Sequence, residues 1–268
     1  MSVLDPLSHA LAAVVAAAHT ALTSLGADPT SSTTWVLCIA TVVAVVRLSL
    51  LPLAAHSVRQ VHAAARARPQ LNELAKRYRN RKDPESRRAF MAERRRIAAD
   101  HDVSRWSIVP LLVQLPIWLA LYQLMAHIAA GAPVGAVNLA LAASLGAATL
   151  LGVPLAERGY LGAGLTHLAV VAGLAGTAAV LSYVTQRFLV APNLVMTDVP
   201  EVMVRTQQMM PAISALGVVV AGGVVPVALL VYWVCNAAWT LGQSAVVWRW
   251  FPTPGSPAAA RAAARRSA

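Results

Sequence analysis

Long uncharged stretches alternate with one densely charged island along this chain of 268 residues. A helix needs about 20 apolar residues to cross a bilayer. By that measure the pattern predicts membrane helices over 34–54, 106–128, 164–186, 208–223 and 226–248. The last two share one uncharged run from Thr206 to Trp248, interrupted by Gly222, Gly223 and Pro226. Breakers at that position predict a tight helical hairpin rather than one very long helix.

The segments between these runs divide the rest of the chain. Residues 1–33 are apolar but punctuated by His9, His19, Thr20, Thr23 and Ser24. They predict an amphipathic helix lying in the outer membrane interface, preferred over a cleaved signal because a basic start is lacking. Residues 129–163 are rich in Ala and Gly and carry Pro133, Gly135, Asn138, Gly152 and Pro154. They read as an apolar extracytoplasmic loop or re-entrant segment. The charged island, 55–105, is strongly helix-forming on both sides of Asp83-Pro84. Asp suits a helix cap and Pro the first turn after it, so the island reads as a helical hairpin. Leu71, Leu74 and Tyr78 mark the apolar face of one arm, and Phe90, Met91 and Ile97 that of the other.

Composition agrees with that pattern. Hydrophobic residues make up 57% of the chain and charged residues 12%, against about 25% charged in soluble domains. The fold class expected is all-α, a polytopic membrane bundle of five transmembrane helices with a cytoplasmic hairpin and an N-terminal interfacial helix. The net charge of +11 is unevenly placed. Fourteen of the 22 Lys and Arg residues fall in 55–105, Arg187 and Arg205 bracket the loop 187–207, and Arg249, Arg261, Arg265 and Arg266 follow the last span in the tail 249–268. Five spans with the N-terminus outside and the C-terminus in the cytoplasm put all of these on one side, as the positive-inside rule requires. The hairpin's excess of basic groups suits anionic lipid, ribosomal RNA or an acidic partner.

Arg47 stands alone in an otherwise uncharged stretch from Pro29 to Val58. A charge deep in a membrane helix costs roughly 2.5–3.5 kcal/mol on insertion scales, so the guanidinium needs water, a partner or a polar cavity. It lies about eight residues before the expected end of its span, on the order of 12 Å at helical rise. The last span offers Trp233, Asn236, Thr240 and Gln243 at spacings of three, four and three, which puts them on one helix face. Gln114 and Gln123 lie in the second span, and Ser182, Thr185 and Gln186 close the third. Such groups serve either as dry interhelical glue or as the lining of a wet groove around Arg47.

Nucleotide-binding, serine-hydrolase and zinc-protease motifs are missing, and neither lysine follows a glycine. Cys38 and Cys235 sit in apolar runs without metal or redox spacing. No enzyme activity, cofactor or metal site is expected. A membrane assembly scaffold, or less favourably an anion transporter, remains compatible with these residues.

Four stretches resemble the YidC family of membrane-protein insertases: Val46–Leu53 with its Arg47 and Pro52; Val109–Trp118 with Leu121 and Tyr122; Gln207–Pro211; and Pro226–Trp233 running on to Gln243. The ending Asn236–Gln243 followed by 251–256 is similar to the actinobacterial branch, and the likeness is to a five-span core. The resemblance implies a groove in the inner leaflet, open to cytosol and lipid, with Arg47 as its cation and Gln186 and Trp233 on its lining; Gln114, Asn236, Thr240 and Gln243 join the candidate lining from the polar positions of their own spans. It implies a cytoplasmic hairpin over 56–104 that meets substrate first. Nascent membrane proteins would be the clients, with the ribosome and the Sec translocon as further partners and no small-molecule substrate. The location implied is a bacterial plasma membrane.

Overall fold

The computed structural model describes residues 5–81, 83–104, 109–162, 164–196 and 201–267. The first residues of the expected span 106–128, and residues 197–200 of the expected loop 187–207, lie outside them. The chain is all-α apart from one two-stranded pair among the described residues, β1 (Thr149–Leu150) and β2 (Val153–Pro154).

Helix α1 (Asp5–Ser24) buries Leu11, Ala12, Val15 and His19. The His19 ring lies 5.1 Å from that of Trp35, and its Nε2 is 3.0 Å from the Pro29 carbonyl. Helix α2 (Ser32–Ser49) starts on a cap in which the Ser31 hydroxyl accepts from the Thr33 amide. It is separated from α3 (Leu51–Tyr78) by Leu50 alone, at φ −88° and ψ 0°. Pro52 fits the new first turn, where its missing N–H costs nothing. The apolar run and the first arm of the charged island are therefore helical on both sides of a one-residue break.

Helix α4 (Pro84–Asp100) folds back along α3. Asp83 caps it by accepting from the Ser86 amide at 2.7 Å. Tyr78 meets Phe90 with ring centroids 5.7 Å apart, Arg77 pairs with Glu93 at 3.0 Å, and Gln60 accepts from the Ser104 amide at 2.7 Å. Those pairings run in opposite chain directions, so the two helices are antiparallel. α4 buries no residue completely, in keeping with its arginine-rich surface.

The core is a single apolar cluster. It joins Trp35, Ile39 and Val42 of α2, Leu121, Leu124 and Ile128 of α5 (Val109–Ala129), Val171 and Ala175 of α7 (Gly164–Val184), and Leu229 and Leu230 of α9 (Val227–Trp250). The apolar segment 129–163 belongs to this cluster through Val137, Leu145 of α6 (Leu139–Ala147), Val153 and Leu155. It also meets a demand of the backbone, because the first amides of any helix lack intrahelical acceptors. Here the Val227 amide donates to the Glu157 carbonyl and that of Ala228 to the Leu155 carbonyl, each at 2.9 Å. The Tyr160 hydroxyl donates to the Val219 carbonyl of α8 (Glu201–Gly222). Gly159 crosses Gly223 so closely that a Cβ would stand 2.6 Å from its carbonyl oxygen. These contacts shut one end of the bundle.

At the other end α7 widens into a π turn over Thr185–Val190, followed by a short 3-10 turn, Ala191–Asn193. Helix α10 (Pro257–Ser267) packs there through Ala258 and Ala262, and the Arg265 guanidinium lies 5.1 Å from the Trp248 ring. Helix α8 begins at Glu201 rather than 208, so its first turns carry Arg205 and Gln207 beyond the apolar run. It leaves Met203, Met209, Ile213, Leu216 and Val220 exposed. A row of exposed large apolar residues on that scale fits hydrocarbon better than water. Among the described residues four helices are long and apolar enough to cross a membrane: α1, α2, Leu112–Ala129 of α5, and Gly164–Asn193. α8 and α9 are diluted by polar groups such as Gln208, Asn236 and Gln243.

Candidate functional site

Arg47 ends α2 facing α9. Its Nε and Nη2 both donate to Asn236 Oδ1, at 3.1 and 2.6 Å, and Nη2 also donates to Thr240 Oγ1 at 3.2 Å. The Thr240 hydroxyl spends its own hydrogen on the Asn236 carbonyl at 2.8 Å, which leaves its lone pairs free to accept. Asn236 and Thr240 are four residues apart on one helix, so one face presents both acceptors. A guanidinium has five N–H donors. Three are spent here, and both hydrogens of Nη1 lack a partner among the described residues. No carboxylate pairs with Arg47 among those residues either. The clamp is electrically neutral, so it orients the cation and leaves its charge intact.

Beside this clamp lies a cavity of about 460 Å³. Asn236 and Thr240 form part of its wall, so the residues that hold Arg47 also face the space. Trp233 of α9, Gln186 of the π turn, Thr185, Ser182 of α7 and Trp118 of α5 complete the polar and aromatic lining. The fourth wall is α8, through Ser214, Gly217, Val218 and Ala221. A Cβ placed on Gly217 would meet nothing within 4 Å, which shows how open that wall is.

Of the residues picked from sequence, Gln186, Trp233, Asn236 and Thr240 line this space, and Arg47 stands behind the last two. Gln114 is half-buried on α5 and is not part of the lining. Gln243 lies one turn beyond Thr240 and faces α3, where it accepts from Trp239 Nε1 at 3.3 Å and borders a second cavity. Ser182 and Thr185, which the sequence left between interhelical glue and lining, also border it, and Trp118 and the α8 wall are additional. The α8 residues do carry a signal: Ser214, Gly217 and Ala221 recur at three and four, a stripe of small side chains of the kind that lets helices pack closely; here it faces the cavity and leaves the space unfilled.

Helices long and apolar enough to cross a bilayer, with large apolar side chains exposed along their faces, define this as a helical membrane protein. The chain belongs to the family of the 60Kd inner membrane protein, the YidC family, whose family model matches residues 27–254. A relative from Streptomyces avermitilis, named membrane protein insertase YidC, is 32% identical over 235 residues, covering 84% of this chain. The alignment spans 54% of that relative, about half of its length. A protein of the same name from Bifidobacterium longum is 26% identical over 268 residues, covering 96% of this chain and 78% of its own. One from Enterococcus faecalis is 39% identical over 85 residues, 31% of this chain and 30% of that protein. The chain is accordingly a bacterial membrane protein.

Proposed function

We propose that this chain is a membrane-protein insertase that admits nascent membrane proteins to the cavity beside Arg47. The observation that carries the reading is the neutral clamp: a cation held by Asn236 and Thr240, unquenched, next to about 460 Å³ of partly polar space. An acidic or polar client tail entering that space exchanges bulk water for fixed donors. The hydrocarbon left to cross is correspondingly thinner. The client's apolar segment then leaves sideways along α8 into lipid, driven by burial worth about 25 cal/mol per Å² of apolar area. Arg47 acts as an electrostatic lure, and the protein is not an enzyme.

The topology proposed with this function has five spans: α2 with the start of α3, α5, α7, α8 and α9. The N-terminus and segment 129–163 lie outside, with α1 in the outer interface. The α3–α4 hairpin, loop 187–207 and tail 249–268 lie in the cytoplasm, as the distribution of arginine favours. The hairpin's basic surface suits anionic lipid and the ribosome, and action beside the Sec translocon belongs to the same reading.

The test is reconstitution of the purified chain with one small acidic-tailed client, read by protease protection. Arg47→Lys retains protection, and Arg47→Glu loses most of it. Equal protection by wild type and Arg47→Glu would remove the lure. Client bound but left accessible to protease would mark a scaffold that holds without inserting.

A further inference from the structure

A second cavity, of about 650 Å³, opens between α3 and α9 on the far side of Gln243 from the Arg47 clamp. Leu51, Ala55 and Val58 of α3 face Trp239 and Val246 of α9, and Phe251 just beyond its end, across it. Its wall is largely apolar and includes no acidic residue, and its basic rim is formed by Arg59 and His62. Nothing in the insertase reading uses this space.

Two features fix how the cavity sits relative to the bilayer. Trp248, Arg249 and Trp250 end α9, and Trp and Arg gather where hydrocarbon gives way to headgroups. His62 Nε2 lies 3.1 Å from the Phe251 carbonyl, which ties the rim of α3 to that level. Arg59 is therefore near headgroup depth, exposed, and without an ion pair among the described residues. From Trp239 to Phe251 the groove follows α9 for about 18 Å, roughly one leaflet of a ~30 Å hydrocarbon core.

We propose that this groove seats one anionic phospholipid, with an acyl chain between α3 and α9 and its phosphate on Arg59. The apolar depth matches a chain, the rim matches a phosphate, and the missing acid removes any internal competitor for Arg59. A zwitterionic lipid also fills the groove but brings a quaternary ammonium towards a basic rim, so it binds more weakly. Gly242 lines the groove, and a Cβ placed there would meet nothing within 4 Å, so the groove is open at that point.

The experiment uses the purified chain reconstituted into vesicles of equal phosphatidylglycerol and phosphatidylcholine, extracted in mild detergent and examined by native mass spectrometry. Wild type is expected to keep one phosphatidylglycerol, on the order of tenfold over phosphatidylcholine. That preference is the electrostatic part of the binding, a difference of affinities at ~1.4 kcal/mol per tenfold. Arg59→Gln equalises the two lipids, and Gly242→Leu, which fills the groove in a helix-favouring way, removes both. Equal retention of the two lipids by wild type overturns the proposal, as does an unchanged phosphatidylglycerol adduct in folded Gly242→Leu. A photo-crosslinker at Val246 supplies an arm independent of those variants: adducts to lipid support the seat, and adducts to client polypeptide instead of lipid overturn it. The insertion assay is read separately, so failure here leaves the Arg47 mechanism standing.

Discussion

Arg47 and Asn236 lie 189 residues apart in the chain and meet at a single oxygen, with Nε and Nη2 of the guanidinium both donating to Oδ1. The partner's neutrality matters more than the bond. A carboxylate in that place would hold the arginine at least as firmly and cancel its charge.

Asn236→Asp is therefore expected to preserve the fold and disable the lure. Protease-protected insertion of an acidic-tailed client falls at least about tenfold, while the thermal midpoint does not drop. Asn236→Leu is expected to behave differently, because it removes an acceptor from a charged donor. Hydrogen bonds to charged groups contribute about 1.5–3 kcal/mol, and unfolding in detergent by denaturant reads that loss. A tenfold insertion defect in Asn236→Leu with unchanged stability contradicts the clamp.

The α8 wall supplies a steric counterpart. Gly217→Leu adds a side chain on the cavity wall whose Cβ meets nothing within 4 Å and whose branch takes up cavity space. Insertion is expected to fall severalfold with stability unchanged or slightly raised, because leucine favours helix over glycine by about 0.5–1 kcal/mol. Gly173, inside α7 and also free of neighbours, is the control: Gly173→Ala leaves insertion intact.

At the closed end the expectation reverses. Gly159 has φ +73° and passes against the Gly223 carbonyl. Gly159→Ala combines a left-handed backbone, worth about 1–2 kcal/mol against a residue with a Cβ, with a clash that pushes segment 129–163 away from the Gly223 turn between α8 and α9. A lower thermal midpoint and cysteine labelling from the outer side at position 221 are the expected readouts. A midpoint equal to wild type would falsify the close crossing.

Asp83 gives a pH dependence confined to the α3–α4 hairpin. The Ser86 amide, then its hydroxyl, and more weakly the charge of Arg81 hold the Asp83 carboxyl below its ordinary value of 3.8. A group depressed in the folded state stabilises above its unfolded pKa and loses that contribution as pH falls through the folded one. The cap is thus intact at neutral pH and releases only below about pH 4. The protection factor of the Ser86 amide, its exchange rate relative to the intrinsic rate at the same pH, should fall there, and in Asp83→Ala it should be low at every pH. Protection of Ser86 that ignores acid contradicts the cap.

Much of the architecture is written locally. The five apolar runs all carry helix, because length and apolarity are properties of adjacent residues. Asp83-Pro84 starts α4 through contacts made within four residues. The charge asymmetry and the isolated position of Arg47 are likewise visible without a fold. Less legible were the junctions: the single-residue break at Leu50, the early start of α8 at Glu201, and the docking of α10 on the turn after α7. Each depends on what a segment finds beside it.

The same division runs through the site. Sequence alone set an isolated arginine in an uncharged run and gave the last span a polar face, since helical period fixes which residues share a side. It did not determine how far that face extends as a cavity wall. Asn236 and Thr240 border the cavity next to Arg47, whereas Gln243, one turn on, meets α3, because the neighbours of α9 change along its length. Likewise the apolar stretch 129–163 has no periodicity to announce its role. Only the assembled bundle turns it into the closure of one end, by supplying carbonyls to the unpaired amides of α9. A helix follows from neighbours in the chain, whereas a cavity is the space that helices distant in the chain leave between them.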